Sequence, residues 1–232
     1  ISKKIKTRNL ITYSLKEKNS DVKIVLINKN KFSTEFSLFF RKNVIKGING
    51  KINFKTNLIG DHNILNTTSA IIASLLAKIP LPEIKKSLFA FEGVKRRFSY
   101  LGKIDKCSVY DDYAHHPSEI KASYDIAKQI SNKKIIVIFQ PHRFSRLSYL
   151  YNEFIKIFNK IDTLYILDVY PAGERSIKNI NSKKLVNDIK KKNKNTFYLN
   201  SKSNLSTTLK PYFADKNTIV FMGAGSITYM AH

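Results

Sequence analysis

From about residue 106 onward, short apolar runs alternate with amphipathic stretches, the pattern of repeated βαβ units. Residues 135–139, 164–167 and 219–222 are apolar with little interruption, as expected of strands covered by helices on both faces. Residues 107–110 and 196–199 read as two further strands. Leu147, Leu150, Tyr151, Phe154, Ile155 and Phe158 fall on one helical stripe, and Ile120, Tyr124, Ala127 and Ile130 fall on another. Pro117 opens that second helix at its first position, with Glu119 favourably placed toward the helix dipole. Five strands with such crossovers predict an open, doubly wound, mostly parallel sheet of Rossmann-like type. Ligands on such sheets sit at the carboxyl ends of the strands, so the loops after Tyr110, Phe139, Val169 and Met222 are expected to form one rim.

The first hundred residues follow a different order. Residues 22–27, the alternating Phe36, Leu38 and Phe40, and residues 52–58 read as strands. Ile64, Thr68, Ile71, Ile72, Leu75, Leu76 and Ile79 then mark a long helix capped near Asp61, and residues 83–91 a short second one. Strands followed by helices look like the later part of an α/β domain. The expected organisation is therefore α/β throughout, with a partial central domain over 1–100, a linker near 99–106 and a Rossmann-like domain over 101–232.

Composition narrows the function classes. A chain of 232 residues that is 43 % hydrophobic and 25 % charged has enough apolar material for a core, which excludes a disordered basic tail. The lone cysteine, Cys107, excludes an intrachain disulfide framework and a four-cysteine zinc site, and suits a reducing, cytoplasmic setting. No apolar run approaches the roughly 18 residues of a membrane span. A net charge of +24 raises the alternative of a basic, nucleic-acid-binding α/β protein. Yet 34 of the 41 basic residues are lysines spread along the chain, as on ordinary solvated faces. The arginines are grouped instead: Arg96, Arg97, Arg143, Arg146 and Arg175 lie in three short segments, where forked recognition of phosphate or carboxylate is expected.

Several segments carry residue types suited to chemistry. DDYAHHPSE joins Asp111, Asp112, His115 and His116 where a strand gives way to a helix; metal binding, acid–base work, substrate contact and plain helix capping are all open to it. QPHRFSRL places His142, Arg143 and Arg146 at the start of a helix, where an anion would meet both guanidinium groups and the helix amides. VKRRF puts Lys95, Arg96 and Arg97 beside the linker, either as phosphate contacts or as a solvated charge run. In GDHNILN, His62, Asn63 and Asn66 occupy nearby turns, as heterocycle contacts or as helix-cap neighbours. GAGSI, after the last strand, is either an anion cradle or a tight turn. No G-x-x-x-x-G-K-[ST] loop is present.

GDHNILN, FEGVKRRF, DDYAHHPSE, FQPHRFSRL, DVYPAGE and GAGSI, in that order over residues 60–227, together resemble the Mur ligase family. The resemblance implies cytoplasmic, ATP- and Mg2+-dependent enzymes of peptidoglycan assembly. It is nearest to the branch that joins L-alanine to UDP-N-acetylmuramate through an acyl phosphate. The sibling branch, which adds a ready-made peptide, is expected to carry a Glu-Pro-Arg-Ser-like segment where this chain has residues 140–145. By resemblance, His62, Asn63 and Asn66 face adenine, Asp112 holds ribose and Arg97 reaches the γ-phosphate. Arg97, His115, His116, Arg143 and Arg146 are the implied catalytic residues, and Asp111, Tyr113, His116, His142, Arg143 and Arg146 the implied substrate contacts. The family's UDP-binding domain, phosphate loop and magnesium ligands lie upstream of anything matched here. Together with a chain that begins at Ile1, this marks the expectation of a fragment that does not ligate by itself.

Overall fold

The computed structural model describes residues 10–30, 33–200 and 204–231. The chain forms two compact units, Ile1–Gly93 and Val94–His232.

In the first unit, β1 (Tyr13–Ser14), β2 (Val22–Lys29), β3 (Thr34–Ile45) and β4 (Ile48–Thr56) form a sheet in that order, with β1 parallel to β2 and the other pairs antiparallel. One face of it is apolar: Val22, Ile24, Phe36, Leu38, Phe40 and Phe54 are buried against Ile64, Ile71, Ile72 and Leu75 of α1 (Asp61–Leu76) and Ile84 of α2 (Leu81–Ala90). The cap expected near Asp61 is Gly60, at φ 94°, and Asp61 is the first helical residue of α1. The helix also stops before Ile79, because Lys78 turns into the left-handed region (φ 61°) and Pro80 follows.

The second unit holds a sheet of six strands, in the order β5, β6, β10, β7, β8, β9. These are β5 (Ser99–Ile104), β6 (Cys107–Asp112), β7 (Ile135–Phe139), β8 (Thr163–Ile166), β9 (Thr196–Tyr198) and β10 (Thr218–Met222). All neighbouring pairs are parallel except β5 with β6. The segment expected to be the linker is thus the edge strand β5 and its turn, while the compact units divide between Gly93 and Val94. Ser99, Gly102 and Lys103 give β5 too little apolar alternation to reveal it as a strand.

Successive residues of the central strands pack on opposite faces. Val137, Phe139, Leu164, Ile166, Val220 and Met222 meet α3 (Pro117–Ile130), α4 (Phe144–Tyr149), α5 (Tyr151–Phe158) and α6 (Ser182–Lys190). Ile136, Ile138, Tyr165, Leu167, Ile219 and Phe221 meet Leu209 of α7 (Leu205–Leu209) and the residues around α8 (Thr228–Ala231). That two-sided burial is why these strands read as unbroken apolar runs. The single long stripe expected after β7 is divided into α4 and α5 at Leu150 (φ −104°, ψ 16°). The hydrogen bonds Leu150 N to Arg146 O and Phe154 N to Leu150 O continue across the break, so the stripe buries its residues as one helix would. Cys107 is fully buried, and burial pushes its thiol up to about 11. No described helix is long and apolar enough to cross a membrane.

The ring cluster of Phe139, Phe154 and Phe158, with centroids 5.6 and 4.9 Å from Phe139, lies at the centre of this core. Phe139→Ala is expected to destabilise the second unit by about 3–5 kcal/mol, measured by urea unfolding. A loss under about 1 kcal/mol would contradict this packing.

Candidate functional site

The parallel strands β6, β7, β8 and β10 end together. Phe221 and Met222 pair with Asp111 and Asp112, and Met222 also pairs with Phe139. The loops that follow therefore emerge on one edge, where the structure brings together Asp111, Asp112, Tyr113, His115, His116, His142, Arg143 and Arg146, with Arg97 beside them. His62, Asn63 and Asn66 belong to the first turns of α1 in the first unit. There Asn63 Nδ2 donates to the Ile59 carbonyl at 2.8 Å, and Asn66 is exposed.

The two aspartates differ. Asp111 is 1 % exposed, and its Oδ2 accepts from the Thr228 hydroxyl and lies 3.7 Å from Arg96 Nε. Its carboxylate thus faces Thr228 at the start of α8 and Arg96. Asp112 accepts the Ala114 amide at 2.9 Å. Burial raises its carboxyl from 3.8 to about 6; the Ser123 hydroxyl, the Ala114 amide and the Arg97 charge oppose that rise, and Glu119 adds to it.

The two adjacent histidines are held in opposite ways. His116 is the N-cap of α3: its Nδ1 accepts from the Ser118 amide, while Glu119 Oε2 accepts the His116 amide at 3.2 Å. Capping, one of the readings open to DDYAHHPSE, describes His116, and with Nδ1 accepting, its proton sits on Nε2. His115 Nδ1 donates to the Tyr113 carbonyl at 2.8 Å, so in the neutral ring the proton sits on Nδ1, and Nε2 lies outside that bond. Burial raises the Glu119 carboxyl, but the His115 amide, the His115 and Arg97 charges and the His116 amide outweigh it and bring it below its ordinary value.

Across the rim, the His142 ring stacks on Tyr170 at 5.5 Å and lies 5.9 Å from the His115 ring. Arg146 Nη1 donates to His142 Nδ1 at 3.1 Å and to the His142 carbonyl at 3.2 Å. Burial and the charges of Arg146, His115 and Arg143 hold the His142 imidazole below its ordinary basicity, so it is neutral at neutral pH. A shallow depression of about 390 Å³ is lined by His116, Arg143, Ser145, Arg146, Tyr149 and Leu150. The expectation that the amides opening α4 await an anion is corrected. Glu174 already occupies them, accepting Ser145 N at 3.0 Å and Ser145 Oγ at 2.6 Å.

GAGSI is a packing turn in which carbonyls and glycines matter more than free amides. Gly223 N donates to the Asp112 carbonyl, Ile227 N donates to Gln140 Oε1, and the Gly223 and Gly225 carbonyls accept from Arg96. A Cβ on Gly225 would lie 2.6 Å from both Gln140 Oε1 and the Tyr170 ring. From sequence, Arg96 is expected as a phosphate contact or part of a solvated charge run, whereas Glu174, Tyr170 and Gln140 are not named as site residues. The one available signal for these three was their place inside DVYPAGE and FQPHRFSRL.

Comparison with known proteins identifies the family. The family description "Mur ligase, glutamate ligase domain" matches residues 96–225, and "Mur ligase middle domain" matches residues 1–74. The chain belongs to the Mur ligase family. UDP-N-acetylmuramate--L-alanine ligase of Hydrogenobaculum sp. (strain Y04AAS1) is 35 % identical over 227 residues, covering 97 % of this chain and 48 % of that protein. The protein of the same name from Rickettsia felis is 37 % identical over 236 residues, covering 98 % and 49 %. The solved UDP-N-acetylmuramate-alanine ligase of Thermotoga maritima superposes with a TM-score of 0.74 at 25 % identity, covering 95 % of this chain and 46 % of that one. The chain spans about half the length of the curated relatives it matches.

Asp112 gives a test of the rim's electrostatics. Its folded value of about 6 exceeds the ordinary 3.8, so its contribution to stability is fully present below 3.8 and is lost as pH rises through about 6. Asp112→Asn is expected to remove that loss, so the variant's Tm should gain on the wild type between about pH 4 and about pH 7 in thermal unfolding. A Tm difference that does not change with pH would overturn the assignment.

Proposed function

We propose that this chain provides the nucleotide-facing helix and the carboxylate-facing rim of an ATP-dependent ligase. That enzyme joins L-alanine to the lactoyl carboxylate of UDP-N-acetylmuramate, in cytoplasmic assembly of the peptidoglycan precursor. The observation that carries this reading is the convergence of His115, His142, Arg143 and Arg146 on one sheet edge, with Arg97 alongside. The family match and the names of the relatives support the same substrate pair. A nucleic-acid-binding role accounts for the net charge alone and leaves this convergence unexplained.

In the proposed reaction the γ-phosphoryl group of ATP passes to the lactoyl carboxylate, giving an acyl phosphate and ADP. The amine of L-alanine then attacks the acyl carbon, and the tetrahedral intermediate expels phosphate to leave the amide. Such a sequence requires charge neutralisation on the moving phosphoryl group and in-line placement of the reactants. Arg97 would meet the phosphoryl group, while Arg143 and Arg146 would pair with the carboxylate and then with the acyl phosphate. Neutral His142, held by Arg146 and Tyr170, would present a donor to the same group. Asp112 would accept from ribose. With its amide nitrogen committed to Ile59, Asn63 would offer Oδ1 to the adenine amine, beside Asn66 and His62. His116 serves this site by fixing the start of α3. Among the described residues no group of three or more His, Cys, Asp or Glu side chains is arranged to hold a metal ion, so no step is assigned here to Mg2+.

The test joins the upstream half of the Rickettsia felis relative to this chain. The fusion is expected to form the L-alanyl product and release ADP. Arg143→Ala and Arg146→Ala are each expected to lower kcat/KM by about 100-fold. The chain alone, which has no phosphate loop, is expected to release no ADP. A folded fusion that binds ATP yet makes no amide would overturn the ligase reading.

A further inference from the structure

Two adjacent arginines, Arg96 and Arg97, enter the second unit with opposite surroundings: Arg97 is exposed, and Arg96 is drawn inward. We infer that Arg96 is a positioning residue, which ties the loops after β6 and β10 together and thereby holds Tyr113 and Arg97 at the rim. For what Arg97 does there, the inference rests on the ligase reading; for the tie itself, it does not.

The argument runs from the contacts of one side chain. Arg96 Nη2 donates to the Gly223 carbonyl at 2.7 Å and to the Gly225 carbonyl at 3.4 Å, which engages the loop after β10. Its Nε lies 3.7 Å from Asp111 Oδ2, at the end of β6, and that same oxygen accepts from Thr228 at the start of α8. Its guanidinium carbon sits 4.7 Å over the Tyr113 ring, and its backbone carbonyl accepts the Tyr113 amide at 2.7 Å. Arg97 stands over the same ring at 5.9 Å, so the platform beneath Arg97 is placed by Arg96 from both backbone and side chain.

The cost of the arrangement shows that the surroundings over-determine it. Arg96 has φ 60°, in the left-handed region, which is strained for a residue with a Cβ. Arg96 Nε and Asp111 Oδ1 are both buried without a hydrogen-bond partner. Arg96 Nε and Asp111 Oδ2 form an ion pair at 3.7 Å, so loss of Arg96 leaves the buried Asp111 carboxylate without that compensating charge. Arg96 Nη2 is committed to the GAGSI carbonyls, whereas Arg97 is exposed, so Arg97 is the member of the pair placed to meet a ligand.

The test compares the full chain with Arg96→Met, Arg96→Lys and Arg97→Met by NMR. Arg96→Met is expected to shift the Tyr113 ring resonances and the amides of Gly223 and Gly225. Arg96→Lys, which keeps a charge and can reach one carbonyl, is expected to shift them less, and it carries the comparison where Arg96→Met does not fold. Arg97→Met is expected to move the Tyr113 ring and leave the two glycines in place. In the fusion with the upstream half, Arg96→Met is expected to lower kcat by about 10- to 100-fold, through displacement of Arg97. The KM values for ATP and L-alanine are expected to stay within about twofold, and Arg96→Lys to recover part of kcat. Unmoved Tyr113 and glycine resonances in the Arg96 variants, or a raised KM with kcat unchanged, would overturn the inference. If the wild-type fusion makes no amide, the ligase reading falls, and the NMR comparison still decides for or against the tie.

Discussion

The second unit depends on the insertion of β10 between β6 and β7. The chain's last described strand lies in the middle of the sheet, where Phe221 pairs with Asp111 and Met222 pairs with both Asp112 and Phe139. Because side chains alternate with period two, a slip of one residue in that register would turn Asp111 away from Thr228 and toward the α3 face. The burial of every residue of β7 and β10 on both sheet faces opposes such a slip, since each misplaced side chain would lose its packing. Placement of the polar rim is therefore a by-product of apolar packing several residues away.

Within that frame, polar groups at the strand ends divide into those that hold the rim and those left at its surface. Asp111, Arg96, Glu174, Gln140 and the Nδ1 of His116 are committed to protein groups. Arg97 and Arg143 are exposed, and His115 keeps Nε2 outside its bond to Tyr113. Residue types alone do not draw this line: each class contains an arginine, a histidine side chain contributes to both, and the neighbours Arg96 and Arg97 fall on opposite sides of it.

The fold was largely legible in the sequence, for physical reasons that also explain the exceptions. Strands such as β7 and β10, buried on two faces, write themselves as apolar runs, and α3 announces itself through Pro117, Glu119 and its stripe. The edge strand β5 and the two-residue β1 bury too little to leave a period. The break at Leu150 is invisible to pattern because it preserves both burial and hydrogen bonding. At the site, sequence order identified the loops that converge. It could not show that Glu174 reaches the opening of α4, or that Asp111 turns inward, because both depend on partners far along the chain, Ser145 and Thr228.

Gly225 governs an aromatic stack it does not belong to. With no β-carbon there, the Tyr170 ring can press against the turn and lie face to face with His142. Even one methyl group at that position would have to displace both the Tyr170 side chain and the Gln140 carboxamide. The orientation of a rim imidazole is thus set by a void the size of a single carbon, on a different loop. Variation at residue 225 would reach the chemistry mechanically, with no change in charge or in any functional group.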